Sequence, residues 1–293
     1  MKKLFAMMLS AAMMLSLAAC GGNDAPEADP ETKDYSSMTI DELKAEITTV
    51  TEGKLTVATS PDFAPYEFYS IDENGNAELA GFEMALAQHI ADYIGLELEV
   101  VPMDFDGTIM ELGNKTVDLG MAGYSPKPER EVYMDFSEIF YTGGQSFVCL
   151  QSNKDQFATL EDANNPEYSI GAQNGSIQLL DLANVYTPDA DIIPLPKVTD
   201  VVAELVAGKL DGAFIETVVA ETYAQNYPEM YVALDVPYDQ AGSVVGVYKG
   251  NEALLAAVNL AIADALDSGA MNTYVTEANE LASGNIHEGL LEG

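Results

Sequence analysis

The sequence has few positive charges, and only one of them is an arginine. Lys and Arg together number 12 against 48 Asp and Glu, which gives the 293 residues a formal net charge of −36. A field of this sign repels nucleic acid and anionic lipid surfaces, so neither is an expected partner. The single arginine is Arg130, and every other cation of the chain is a lysine. The chemistry at position 130 therefore calls for a guanidinium and not simply for positive charge.

Cysteine and histidine are also scarce. The cysteines are Cys20 and Cys149, the histidines are His89 and His287, and they do not form a cluster with metal-ligand spacing. We therefore expect neither a metal site nor a cofactor. Cys149 lies in the apolar run SFVCL, where a single thiol is best interpreted as a small buried hydrophobe.

The first residues have the pattern of a signal peptide. Two lysines precede an apolar stretch over 4–17, and small residues lead to Cys20. A cysteine directly after such residues resembles the lipobox of bacterial lipoproteins, which implies a signal peptide over 1–19 and a lipid on Cys20. The alternative is an ordinary signal peptide with an incidental cysteine. Residues 20–53 are expected to form a lipid-anchored tether and a short helix, which Thr39 and Glu42 would open as a capping box.

From residue 54 onward, strand and helix patterns alternate. LTVATS (55–60) is apolar and β-branched, and GFEMALAQHIADYI (81–94) has apolar residues at helical spacing. A second alternation follows the glycine pair at 143–144, with strand patterns in SFVCL, YSIGAQ, DIIPL and DGAFIE. This order favours parallel sheets with helices on their faces. The sequence therefore predicts two α/β lobes.

Several motifs in combination resemble one known family. They are VATSPDFAPYEF, AGFEMALA, PMDFDGTI, VDLGMAGYSPKPER, IGAQNGS and LDGAFIET, all within residues 54–282. The chain resembles bacterial extracellular solute-binding proteins of family 3, which serve ABC importers of polar amino acids, and PMDFDGTI is especially similar to glutamine-binding proteins. The resemblance implies a type II two-lobed periplasmic-binding-protein-like fold with two hinge strands. Lobe one is expected at 54–142 plus 242–293, and lobe two at 143–241.

The resemblance also implies a function. The protein would be an extracytoplasmic, lipid-anchored component that captures a polar L-amino acid between two closing lobes and delivers it to a membrane permease. It would not be an enzyme, because the polar groups assigned to the ligand leave no acid–base pair over. A dehydratase-like enzyme on the same fold and an amino-acid sensor are the alternatives.

A free amino acid carries a carboxylate and an ammonium, and burying either charge unpaired is costly. Arg130 is expected to hold the carboxylate, because a guanidinium donates two parallel hydrogen bonds to it and lysine does not. The alternative is a surface ion pair with Glu129 or Glu131. By the resemblance, Glu216 stands where the family places an Asp that accepts the ammonium, although an acid at a helix start is also favourable on its own.

The resemblance supplies the other predicted contacts. Phe63 and Phe105 would sandwich the ligand side chain, with plain core packing as the alternative. Ser60 stands where binders of basic amino acids often carry Asp, which favours a glutamine-like ligand, although Asp62 or Glu67 keeps a basic amino acid possible. The remaining predicted ligand-binding residues are Gly123 and Ser125 from lobe one, and Gln173, Gly175 and Ser176 from lobe two.

Overall fold

The structure is a computed structural model that describes residues 33–71, 74–239 and 242–283. The predicted signal peptide, Cys20 and most of the predicted tether lie outside these residues. The strands are β1 (Lys54–Thr59), β2 (Asp62–Phe63), β3 (Glu67–Ile71), β4 (Ala77–Ala80), β5 (Glu97–Pro102), β6 (Leu119–Gly120), β7 (Met134–Tyr141), β8 (Gln145–Leu150), β9 (Ser169–Gln173), β10 (Asp191–Leu195), β11 (Gly212–Glu216), β12 (Met230–Asp235) and β13 (Ser243–Tyr248).

The helices alternate with these strands. The α-helices are α1 (Ile40–Lys44), α2 (Phe82–Ile94), α3 (Phe105–Asn114), α4 (Leu160–Ala163), α5 (Asn184–Tyr186), α6 (Val198–Val206), α7 (Thr217–Asn226), α8 (Glu252–Asp267) and α9 (Ala270–Ala282). Short 3₁₀ turns lie at Tyr35–Ser37, Pro128–Arg130 and Lys154–Gln156, and a π-helix spans Gln178–Ala183.

Two mixed sheets organise the described chain. The first has the order β5-β1-β6-β13-β7, and the second has the order β10-β9-β11-β8-β12. In each sheet a parallel set is extended by antiparallel strands: β13 and β7 in the first, β8 and β12 in the second. Helices α2, α3 and α8 pack on the first sheet, and α6 and α7 pack on the second. Below, lobe one and lobe two denote the parts built around these two sheets.

The chain passes from one sheet to the other twice. It leaves the first sheet after Tyr141 and enters the second at Gln145, and it returns between Asp235 and Ser243. The first passage contains the glycine pair at 143–144. A third, small sheet, β2-β3-β4, precedes α2 and carries the PDFAPYEF motif.

Helix α2 shows how local pattern and packing combine. Phe82, Leu86, Ile90 and Ile94 are one turn apart and are at most 4% exposed, as the predicted apolar face requires. The helix begins after Gly81, which has a φ of 125°. A Cβ at this position would overlap the backbone carbonyl of Tyr66, so only glycine lets α2 approach β3 this closely.

The segment before β1 is docked on lobe one. The predicted capping box is present, because the Thr39 amide donates to the Glu42 carboxylate over 2.8 Å. The helix it opens ends at Lys44, earlier than the pattern suggested, and packs on α8 with Leu43 fully buried. Asn251 Nδ2 donates to the Thr48 carbonyl over 2.9 Å and fixes the following segment.

The sequence predicts a helix from Pro128, whose first backbone amides would assist anion binding near Arg130, and a helix over SIQLLDLAN; both predictions need correction. The turn that carries Arg130 is a three-residue 3₁₀ turn, Pro128–Arg130, so it does not provide the helix N-terminus that we expected to assist anion binding. The apolar pattern of SIQLLDLAN forms a π-helix over Gln178–Ala183 before α5, with Gln178 bonded to Gln145 over 2.8 Å.

Among the described residues, no single helix is long and apolar enough to span a membrane. The pair α8 and α9 reaches that length and apolarity only when the two helices are taken together, and they are bent by 77° relative to each other.

We predict that Gly81→Ala lowers the free energy of unfolding by about 3 kcal/mol or more, because it combines an unfavourable φ with a backbone overlap. The matched control is Gly75→Ala, which has a φ of 86° but open space around the new methyl group and should cost about 1 kcal/mol. Urea unfolding followed by circular dichroism measures both. Equal losses would contradict the backbone overlap at α2.

Candidate functional site

The predicted site residues collect where strands of both sheets end. Ser60 directly follows β1, and Gly123 and Ser125 follow β6, all in lobe one. Gln173 ends β9 and Glu216 ends β11, both in lobe two. Because ligands of open α/β sheets bind beyond the carboxyl ends of the strands, this grouping defines a candidate site between the lobes.

Arg130 is buried at this position and is only 7% exposed. Its Nη1 donates to the Ser125 carbonyl over 3.1 Å, and its Nη2 donates across to the Gly175 carbonyl of lobe two over 3.2 Å. The guanidinium carbon lies 5.3 Å from the centre of the Phe105 ring and 5.8 Å from that of Tyr124. These contacts fix the direction of the fork and use only neutral acceptors.

The predicted alternative for Arg130 was a surface ion pair. Among the described residues, the ion pairs involve lysines or His89, and none joins Arg130 to Glu129 or Glu131. Burial lowers the pKa of Arg130. A buried cation without a carboxylate partner is costly, so an anion that enters the site would be stabilised here.

Glu216 is the buried acid of lobe two and is 3% exposed. Its Oε2 accepts from the Val219 amide over 3.0 Å and caps α7. Its Oε1 is buried without a hydrogen bond of normal geometry among the described residues, and it lies against Gly143, where any Cβ would overlap it. Burial raises the pKa of Glu216 to about 7. The helix-capping role and a free oxygen thus coexist in one side chain.

Phe63 and Gly123 are in direct contact. Gly123 has a φ of 61°, and a Cβ there would lie 2.7 Å from the Phe63 ring. The position therefore requires glycine for both reasons. The Gly123 amide donates to Glu83 Oε1 over 3.1 Å, so this amide is already used.

Two buried acids lie beneath this contact. Glu67 is directly opposite Phe63 in the β2–β3 pair, and both of its carboxyl oxygens are buried without a normal hydrogen bond among the described residues. Glu83 Oε2 is also buried without a normal hydrogen bond among the described residues. Burial and the neighbouring Glu83 raise the pKa of Glu67 well above its usual value, and burial raises that of Glu83 to about 7. Both acids therefore retain protons to a higher pH than exposed carboxyl groups do.

Lobe two approaches lobe one through the loop after β9. Gly175 has a φ of 69°, and a Cβ there would overlap the Asp106 carboxylate of lobe one. Asn174 Nδ2 also donates to Asp106. Ser176 serves its own loop, since its hydroxyl donates to the Gln173 carbonyl over 2.7 Å and accepts from the Leu179 amide over 3.2 Å.

Asp62 makes more contacts than its position in the sequence indicates. Its carboxylate accepts from Ser60 Oγ over 2.6 Å, from Gln173 Nε2 over 3.0 Å and from the Val198 amide over 2.5 Å. Burial raises the pKa of Asp62 to about 6. Ser60 and Gln173, both predicted as ligand contacts, are therefore held by Asp62 in this structure. The only sequence signal was an acid between a strand and an aromatic residue.

The described residues contain no group of three or more His, Cys, Asp or Glu side chains arranged to hold a metal ion. Cys149, the thiol interpreted as a small hydrophobe, is fully buried in β8.

Comparison with known proteins identifies the family. The family model for bacterial extracellular solute-binding proteins, family 3, matches residues 55–277. The chain belongs to this family. The predicted resemblance is thereby confirmed, and the family's extracellular character agrees with the predicted extracytoplasmic location.

Individual relatives of this family-3 protein are mostly binding proteins. It is 30% identical to the arginine-binding extracellular protein ArtP of Bacillus subtilis, over 92% of this chain and 94% of that protein. A crystal structure of the substrate-binding protein AbpA of Streptococcus pneumoniae bound to L-arginine superposes with a TM-score of 0.75 at 28% identity, covering 83% of this chain and 99% of that one. The predicted two-lobed fold is confirmed by this match.

One enzyme is also similar to the family-3 chain. The cyclohexadienyl dehydratase of Pseudomonas aeruginosa is 28% identical over 61% of this chain and 65% of the enzyme. The longer matches are to binding proteins, which favours the prediction that the chain is not an enzyme.

We predict that Glu216→Gln stabilises the unliganded family-3 protein at pH 8 and not at pH 4. The pKa of Glu216 in the folded protein, about 7, exceeds the ordinary glutamate value of 4.5. Between these values the unfolded chain releases a proton that the folded protein keeps, so stability falls as pH rises and then levels off above pH 7. Between pH 4 and pH 8, urea unfolding should show that the wild type loses about 3 kcal/mol of unfolding free energy that the variant retains. If the difference in unfolding free energy between wild type and variant is the same at pH 4 and pH 8, the buried, protonated state of Glu216 is refuted.

Proposed function

We propose that the protein is the extracytoplasmic binding component of an ABC importer and captures a polar L-amino acid between its lobes. The lobes would span 54–142 plus 242–293 and 143–241, a lipid on Cys20 would hold the chain at the membrane, and a permease would receive the ligand. The sheet memberships support this division, and the family supports the transport role.

One observation carries the proposal. The site contains a buried cation, Arg130, and a buried acid, Glu216, and neither has an ion-pair partner among the described residues. A zwitterion supplies one charge to each. Arg130 would bind the carboxylate with Ser125 beside it, and Glu216 would accept the ammonium, which would restore its ionised form.

The side-chain subsite favours a cation. Phe63 and Phe105 offer aromatic faces to a flat group, which suits an amide or a guanidinium. Glu67 lies opposite Phe63, and its carboxyl group interacts with that of Glu83, a second buried acid. A guanidinium would donate hydrogen bonds to this pair and favour the ionised carboxylates. Arginine-binding relatives support this choice over the glutamine-like ligand that Ser60 suggested, and the net charge of −36 attracts cationic ligands.

We predict that a thermal-shift screen of the twenty amino acids raises the melting temperature with arginine above all others. Arg130→Lys should weaken binding about 100-fold, because one ammonium does not replace the two-bond fork. The unliganded melting temperature should change little, because a buried lysine loses its proton more readily than an arginine, and the relief of the unpaired charge offsets the lost bonds to Ser125 and Gly175. Glu131→Gln, an exposed neighbour, is the control and should bind normally. No stabilisation by any amino acid would end the proposal.

We further predict that Glu67→Gln reduces arginine affinity at least about tenfold while changing glutamine affinity less than about threefold. The physical reason is that only the cationic side chain needs the carboxylate. Isothermal titration calorimetry with both ligands measures the ratio, and Glu78→Gln on the exposed strand β4 is the matched control. A parallel loss for both ligands would show that Glu67 supports the fold and not the side-chain specificity.

The enzyme alternative has one observation in its favour. A carboxyl group with a pKa of about 7 and a free oxygen, Glu216, is suited to donate a proton to a leaving hydroxide. The same group answers the ammonium of an amino acid without further assumptions. Turnover of a cyclohexadienyl substrate by the purified protein, abolished by Glu216→Gln, would overturn the binding-protein proposal.

A further inference from the structure

Asp62 of lobe one contacts three elements of lobe two. Its Oδ2 accepts from Gln173 Nε2 at the end of β9 and from the Val198 amide at the start of α6. Its backbone carbonyl accepts from the Tyr223 hydroxyl of α7 over 3.0 Å. Asp62 is 1% exposed and Tyr223 is fully buried, so these bonds are shielded from water.

The bond to Val198 is a helix cap supplied by the opposite lobe. The N-cap residue of α6 is Lys197, whose side chain makes no capping hydrogen bond. The first amides of a helix need acceptors, and a carboxylate at this end is the favoured one. Helix α6 takes its carboxylate from Asp62, which is more than one hundred residues away in the sequence. The cap therefore exists only while the lobes are together.

Two other contacts between the lobes are less protected. Lys127 pairs with Asp181, but their side chains are 17% and 25% exposed, and the Asn174–Asp106 bond lies at the exposed edge of the cleft. Water and salt weaken such pairs. The fully buried bonds of Asp62 lose little to screening, so they contribute more to the closed arrangement.

We propose that Asp62 is a latch that stabilises the closed arrangement of the lobes. The expected effect of the latch on ligand affinity rests on the proposed function, but its expected effect on the shape of the unliganded protein does not. Asp62 is a positioning residue, because its carboxylate oxygens are occupied by Ser60, Gln173 and Val198. When the lobes separate, Asp62, Gln173 and the start of α6 exchange these bonds for water. Ligand affinity then falls with the population of the closed form.

Two substitutions test the latch from its two sides. Asp62→Ala removes the acceptor. Val198→Pro removes the donor amide and leaves a small apolar side chain at this buried position. The backbone tolerates it, because proline is favoured at the first position of a helix and Lys197, with φ −127° and ψ 149°, already has the conformation that precedes proline. The control is Asn251→Ala, which removes the cap of α8 within lobe one and leaves the contacts between the lobes intact.

Small-angle X-ray scattering of the unliganded proteins and calorimetry with arginine provide the readouts. Asp62→Ala should raise the radius of gyration and weaken arginine binding about 10- to 100-fold, and Val198→Pro should do both to a smaller extent. The double variant should be less than additive, since both changes break one bond. Asn251→Ala should lower the melting temperature and leave shape and affinity unchanged.

Several outcomes would overturn the latch. Unchanged scattering for both Asp62→Ala and Val198→Pro refutes it, and so does weaker binding by Asp62→Ala alone with no effect of Val198→Pro, which would assign Asp62 a local role beside Ser60. If Asp62→Ala fails to fold, Val198→Pro decides by itself. If the wild type binds no amino acid, the proposed function fails, and the scattering comparison still tests the latch.

Discussion

The cost of burying an unpaired charge is the constraint on which this site depends. Arg130 and Glu216 are both removed from water, and each is surrounded mainly by neutral groups. The fold supports such a pair only because the remainder of each lobe is well packed around it. The arrangement also explains why the chain uses an arginine here: a buried lysine would lose its proton more readily and would present no planar fork.

The buried acids near the cleft are subject to the same cost of burying an unpaired charge. Burial raises the pKa values of Glu67, Glu83 and Glu216. Without a ligand, the site thus lowers its negative charge by retaining protons. A cationic ligand and a proton are alternative ways to neutralise these carboxyl groups, so ligand uptake at neutral pH should be accompanied by proton release. The strongly acidic composition of the chain agrees with the proposed cationic ligand.

The sequence was informative wherever a pattern is local. The face of α2, the capping box at Thr39 and the span of α7 follow from residue spacing alone, and Arg130 was identified by its solitude. The π-helix at Gln178–Ala183 was missed because its apolar residues have the spacing of an α-helix; its first residue is bonded to Gln145, thirty-three positions earlier. The contacts of Asp62 were likewise hidden, since its partners Gln173 and Val198 are distant in the sequence. Strand β7 went unrecognised because its buried residues do not alternate regularly.

Gly143 links the site to the passage between the sheets. The segment that crosses from β7 to β8 lies directly on the carboxyl group of Glu216, with no side chain between them. A change of backbone torsion at this crossing would therefore move the wall of the site beside Glu216 together with the lobes. A residue larger than glycine at position 143 would occupy the space of the Glu216 carboxyl group, so the crossing could no longer pass directly over the site.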